Sequence, residues 1–158
     1  MRCRILRAIF LASVLAASSL PTIAAEKHAL LGTWMVDIAT VQSPNPPKSV
    51  TLTLEEAGEG TYRLAVTIEA SDGSKSKSEG TFMPDGSVNR VAGNQDFDVV
   101  SMTTPTRQIL VMAGGFQGHP SSTRIWSLSD DGKKMIETAV RHLPDGTPYQ
   151  RVVSWTRQ

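Results

Sequence analysis

Few residues in this chain are of a type that does chemistry, and their spacing narrows the choice further. The histidines are His28, His119 and His142. An imidazole can ligate a metal or carry a proton near neutral pH. No two of them stand at the short spacing that turns a pair of ligands onto one ion, and the lone cysteine, Cys3, lies near the amino terminus. That pattern argues against zinc, which needs several N, O or S donors together. Haem needs only one axial histidine and stays open as an alternative.

Asp96 and Asp98 flank Phe97. On an extended strand they share a face, where two carboxylates could share a proton or a cation. The plainer reading is a solvated strand edge with Asp96 capping a turn. Between Met135 and His142 a period of two allows two settings: Glu137 and Arg141 inward with Met135 and Ala139, or Ile136, Thr138, Val140 and His142 inward. Ser121-Ser122 lacks the Gly-x-Ser-x-Gly context of an activated nucleophile, and no Ser–His–Asp set can be drawn. Gly114, Gly115 and Gly118 lack the lysine and following helix of a phosphate loop and read as a flexible loop. The sequence thus assigns no catalytic residue, no metal and no cofactor.

The elements that would position these residues are strands. Val50, Leu52 and Leu54 alternate with Thr51, Thr53 and Glu55; Tyr62, Leu64, Val66 and Ile68 alternate with Thr61, Arg63, Thr67 and Glu69. That is the period of a half-buried strand. Asp-Gly pairs at 72–73, 85–86, 131–132 and 145–146 supply the positive φ angles of tight hairpin turns. Strands at intervals of about 8–12 residues indicate an all-β sandwich or barrel, and the repeated hairpins make an up-and-down antiparallel barrel of about 8–10 strands the simplest topology. Lys75 to Glu79 is polar on both faces and suits an edge. Arg107 to Ala113 is apolar almost throughout, as in a strand covered on both sides or a subunit contact. Pro44, Pro46 and Pro47 keep residues 40–49 out of regular pairing, and this segment is expected to arch over one mouth of the barrel.

The first residues run from a basic head (Arg2, Arg4, Arg7) through an apolar stretch, Ala8 to Leu20, to small residues ending Ala24-Ala25. That order is a cleavable Sec-type signal peptide, and the apolar stretch is shorter than the roughly 20 residues of a membrane span. We expect cleavage after Ala24 or Ala25, a periplasmic or secreted product over residues 26–158, and no stable membrane insertion. The product would lack cysteine and carry thirteen basic against fifteen acidic residues. No basic stripe points to nucleic acid. With 158 residues in all, the chain can form one core without disulfides.

Gly32-Thr33-Trp34, taken with Ser154-Trp155-Thr156-Arg157 near the carboxyl end, resembles the lipocalin and calycin superfamily. There, a Gly-x-Trp opens the first strand and an Arg from the last packs across the Trp. The resemblance makes Trp34 and Arg157 the pair that closes the barrel, through a cation–π contact worth about 0.5–2 kcal/mol. Residues 90–101 and 126–135 are similar to segments of small exported bacterial lipocalin-like proteins of undefined function. Two departures stand out: a Pro-rich loop replaces the two helices that fatty-acid-binding proteins carry after the first strand, and no helix precedes the last strand.

The expected function is that of a non-enzymatic barrel binding a small apolar or amphipathic molecule, with Trp34, Tyr62, Leu64, Val66, Ile68 and Trp126 as lining candidates. The alternative is a filled barrel acting as a protein-interaction module, oligomeric or partner-bound, through Ile109 to Met112 or the loop at Phe116. A small-barrel enzyme using Asp96, Glu137 and His142 ranks third.

Overall fold

The computed structural model describes residues 28–91, 97–143 and 145–158. The expected leader over residues 1–25, and Asp96, lie outside the described residues. Ten strands follow one another: β1 (Gly32–Val36), β2 (Ser49–Gly58), β3 (Thr61–Glu69), β4 (Lys75–Phe82), β5 (Asp85–Arg90), β6 (Val99–Thr106), β7 (Ile109–Phe116), β8 (His119–Leu128), β9 (Lys134–His142) and β10 (Pro148–Arg157). A short 3₁₀ turn, Ile38–Thr40, is capped by the Asp37 side chain. No helix among the described residues is long and apolar enough to cross a membrane.

The strands form one antiparallel sheet in the order β4-β3-β2-β1-β10-β9-β8-β7-β6-β5. Every strand pair joins chain neighbours except the one between the first and last strands, where Trp34 faces Arg157 and Val36 faces Trp155. This is the up-and-down barrel that the alternating runs dictate. Its closure is incomplete, however: β4 and β5 are the two ends of the hydrogen-bonded order. Lys75, Lys77 and Glu79 keep the β4 edge solvated, and a bulge between Asp85 and Val88 breaks the register of β5.

The core follows the alternation. Leu52, Leu54, Met102, Leu110, Met112, Trp126, Met135, Val153 and Trp155 are all buried inward positions. Each such side chain contributes about 1.5–3 kcal/mol by leaving water. β9 adopts the first of its two settings: Met135, Glu137 and Ala139 point in, while Ile136 and Val140 are exposed.

The sheet alone does not seal the base. Residues 28–31 cross it instead: Ala29 N–H donates to the Arg107 carbonyl at 3.0 Å, and the buried Leu30 accepts from Trp34 Nε1–H at 2.9 Å. The glycine stretch after Ala113 is not a loop. β7 runs on through Gly114 and Gly115, because a Cβ at Gly114 would overlap the Phe97 ring and one at Gly115 would crowd Val99. The turn is Gln117-Gly118, both with positive φ.

Candidate functional site

A cavity of about 150 Å³ lies inside the barrel against the seam between β4 and β5. Its apolar wall includes Leu64, Val66 and Ile68 of β3, Phe82 of β4, Met102 of β6 and Met112 of β7, with Phe97 from the preceding loop. Arg124 and Trp126 of β8 form a polar corner on the inner side, and Ser78, Glu79, Thr81, Asn89 and Arg90 of the two edge strands add polar groups at the seam. Both edge strands contribute to the lining, so the unpaired seam gives access where a closed ladder would not.

Behind Arg124 and Trp126 stands a buried charge cluster. Glu137, 1% exposed, pairs in register with Trp126 across β8 and β9. Its Oε1 accepts from Arg151 Nη2 at 2.9 Å and stands 3.8 Å from Arg124 Nη1. Its Oε2 accepts from Trp155 Nε1–H at 3.2 Å. A carboxylate so deep in the interior is tolerated only when paired and hydrogen-bonded, and here both oxygens are engaged. Two further donors have no partner: Trp126 Nε1 and Arg151 Nε, both out of contact with solvent. Orphaned buried N–H groups are rare because each forgoes a hydrogen bond worth having. Arg124 also lies over the Phe97 ring, 5.3 Å from its centroid.

Of the lining candidates, Leu64, Val66, Ile68 and Trp126 border this cavity. Trp34 and Tyr62 sit elsewhere, towards the base. Trp34 is fully buried under Arg157, whose Cζ lies 4.2 Å from the ring centroid. Arg157 also donates to the carbonyls of Gly132, Leu31 and Ala29 at 2.8, 2.6 and 2.7 Å. Gly32 makes room for it: a Cβ there would come 2.8 Å from Arg157 Nη1, at a φ of +131°. Tyr62 packs against Phe82 and, edge to face, against His28.

The other reactive types are dispersed. His28 is buried at the base, with its ring bonded to the Thr106 carbonyl and the Leu30 N–H. His119 and His142 are exposed. Asp98 accepts the Gln117 N–H at 2.7 Å, tying down the β7–β8 turn. Among the described residues no group of three or more His, Cys, Asp or Glu gathers as metal ligands would. The Pro-rich segment joins β1 to β2, and Ile38 and Val41 at its start pack on the core. None of its residues lines the cavity. Arg124 and Arg151 were the residues that sequence reasoning missed. Their signal was available: each stands two before a buried aromatic or aliphatic position on a strand whose alternation puts it inside.

No protein-family model and no curated protein sequence matches the chain. Solved structures do match by shape. Wild-type fluorescent protein UnaG is similar with a TM-score of 0.53 and 15% identity, over 82% of this chain and 97% of that one. Fatty-acid-binding protein 1 of Echinococcus granulosus gives a TM-score of 0.51 at 10% identity, over 82% and 97% respectively. At such identities the likeness is one of fold, and the fold of this chain is the ten-stranded, nearly closed β-barrel of calycin type.

Proposed function

We propose that this protein is an exported, non-enzymatic carrier or sensor that binds a small amphipathic anion in its barrel. The single observation that carries the reading is a polar corner against the apolar inner wall of the cavity: Arg124 beside Trp126, whose buried indole N–H has no partner. An unpaired donor next to a guanidinium is arranged to receive an acceptor, and an anionic oxygen can accept from the indole N–H beside that positive charge. Leu64, Val66, Ile68, Phe82 and Met112 would enclose the apolar body. A volume near 150 Å³ holds roughly one aromatic ring or a short alkyl chain, so the longest ligands would extend through the seam. The fold supports the reading, since fatty-acid-binding protein 1 shares it.

Tryptophan fluorescence during titration with octanoate, benzoate, longer fatty acids, retinoid-like compounds and haem tests this. Saturable change with small acids is expected, because Trp126 borders the cavity. A flat response to every ligand removes the carrier reading.

One observation favours a second reading, self-association. The outward positions of Ser101–Thr103, Ile109–Ala113, Thr123–Ser127, Ile136–Val140 and Gln150–Ser154 include no charge. The outer faces of β2, β3 and β4, in contrast, carry Glu55, Arg63, Lys75, Lys77 and Glu79. Of the apolar run expected to make a contact, Ile109 and Val111 face outward and Leu110 and Met112 are core.

A further inference from the structure

The seam between β4 and β5 carries a polar side chain from each strand on the cavity side. Alternation along β4 puts Ser78, Gly80 and Phe82 inward, in register with Val66, Leu64 and Tyr62 of β3. On β5, Asn89 stands opposite the buried Val100 and shares its face. Ser78 and Asn89 are both half-buried, both line the cavity, and belong to the two strands that no ladder joins. Asn89 Nδ2 donates to the Ser87 carbonyl at 3.0 Å, which orients the amide and leaves Oδ1 as an acceptor. Among the described residues neither that oxygen nor Ser78 Oγ has a hydrogen-bond partner in the protein. Beside Ser78 the wall is open: a Cβ at Gly80 would meet no atom within 4 Å. The charged groups at this mouth belong to the outside. Arg90 alternates with Asn89 and is exposed, and Glu79 is held by Arg63 and Lys77.

The strands between the inner corner and the seam set what can reach from one to the other. Arg124, Met112 and Met102 are cross-strand neighbours in one row over β8, β7 and β6, and β5 follows. Three strand spacings make about 14 Å along the curved wall, apolar in its middle and polar at both ends.

We infer that Ser78 and Asn89 form a second polar subsite at the seam, and that the preferred ligand is a hydroxyl-ended amphipathic acid. Its acid group lies at the inner corner, its chain along Met112 and Met102, and its terminal hydroxyl at Ser78 and Asn89. A hydroxyl donates and accepts at once, so it can give its proton to Asn89 Oδ1 and accept from the Ser78 hydroxyl; a carboxylate or an ether only accepts. The inference rests on the reading that an anionic head sits beside Arg124 and Trp126.

The test compares, by calorimetry, octanoate with 8-hydroxyoctanoate, 3-hydroxyoctanoate, 8-methoxyoctanoate and octanedioate. 8-Hydroxyoctanoate should bind about three- to tenfold more tightly than octanoate, the net worth of a hydrogen bond or two; against a purely apolar wall the added hydroxyl would weaken binding instead. 3-Hydroxyoctanoate, with its hydroxyl against the apolar stretch, and 8-methoxyoctanoate, which cannot donate, should show no gain. Ser78→Ala and Asn89→Ala should each abolish most of the preference for 8-hydroxyoctanoate over octanoate.

Octanoate binding with no gain from the terminal hydroxyl, an equal gain from the 3-hydroxy or methoxy compound, a preference for octanedioate, or a ratio unchanged in both variants overturns the inference and leaves the carrier reading intact. Failure of every compound to bind removes the carrier reading and this inference with it. The wild-type ligand series decides the question even if neither variant folds.

Discussion

Arg157 lies flat over Trp34, its Cζ 4.2 Å from the ring centroid, and at the same time donates to the carbonyls of Leu31, Ala29 and Gly132. One side chain therefore ties the last strand to the first, to the β8–β9 turn and to the segment crossing the base. The contact is a structural clamp, distinct from the cavity at the far seam.

Truncating the clamp removes three charge-assisted hydrogen bonds and a cation–π contact. Such bonds contribute about 1.5–3 kcal/mol each when buried, less where water replaces them, and Arg157 is only half-buried. Arg157→Ala should lower stability by about 2–4 kcal/mol in urea unfolding followed by tryptophan emission. Arg157→Lys should recover less than half, because an ammonium cannot reach three carbonyls in fixed directions. A loss under 0.5 kcal/mol for the alanine variant, within the scatter of ordinary surface substitutions, would remove the clamp from the account.

The same base contains an acid-sensitive residue. Desolvation holds the His28 pKa below its usual value, against the opposing pull of its bond to the Thr106 carbonyl. The neutral ring accepts the Leu30 N–H at Nδ1 and so donates from Nε2 to Thr106; protonation would place a donor against a donor. Because the unfolded ring binds its proton more readily than the folded one, stability conferred by neutral His28 is complete above about pH 6.5 and declines as pH falls through the folded pKa. Thermal melts from pH 7.5 down to pH 5 should show this step in wild type and lose it in His28→Asn. Parallel curves for the two would contradict the assignment.

How much of this was legible in the sequence depended on periodicity. Tyr62 to Ile68 and Val50 to Leu54 alternate cleanly, so strands β2 and β3 and their inward faces could be read directly, as could the turn at Asp72-Gly73, where Asp72 accepts the Ser74 N–H. Glu137 could not be placed, since on β9 apolar and polar residues are nearly balanced between the faces and the decision comes from partners on β8 and β10. The three residues that pay no regard to hydropathy, Arg124, Glu137 and Arg151, are inside because the Glu137 carboxylate lies between the two guanidinium groups. The glycines of β7 misled for a related reason: Gly114 answers to the Phe97 ring, which is remote in sequence.

Two indoles separate ligand binding from folding. Trp155 Nε1–H serves Glu137, so Trp155→Phe strands a buried carboxylate oxygen; Trp126 Nε1–H serves no protein atom. Both changes remove similar volume, yet Trp155→Phe should be the more destabilising by about 1–3 kcal/mol. Trp126→Phe should instead weaken octanoate binding roughly tenfold, the worth of one charge-assisted hydrogen bond. Equal melting temperatures for the two variants would argue against the orphan donor.

Gly114 controls the cavity from outside its lining. Its lack of a side chain lets Phe97 lie against β7, where the ring borders the cavity and supports Arg124. Gly114→Ala should displace the ring, cost about 1–3 kcal/mol through overpacking and reduce octanoate affinity. Gly118→Ala, with open space around it but a positive φ, should cost stability of about 1 kcal/mol and leave affinity unchanged. Equal binding losses in both would show that the effect is not transmitted through Phe97.

The uncharged outer face yields the last expectation. Val111, Ile125, Thr138 and Val152 lie side by side in register across β7 to β10, with Ile136 and Val140, both more than two-fifths exposed, beside them. A surface with no charge has no complementary charged partner to select, but it can face a second copy of itself across a two-fold axis without repulsion. Five strands about 4.8 Å apart and about five residues deep at 3.3 Å each make a footprint of roughly 400 Å². That is half the ~800 Å² per partner of a standard interface, so the expected dimer is weak and dissociates on dilution through the micromolar range. Sedimentation velocity across that range should show mass rising with concentration, and Ile125→Lys, at an already exposed site, should hold the protein monomeric without changing its melting temperature by more than a few degrees. A wild-type protein that stays monomeric at millimolar concentration, or one that sediments with lipid vesicles instead of with itself, would assign this face to another role.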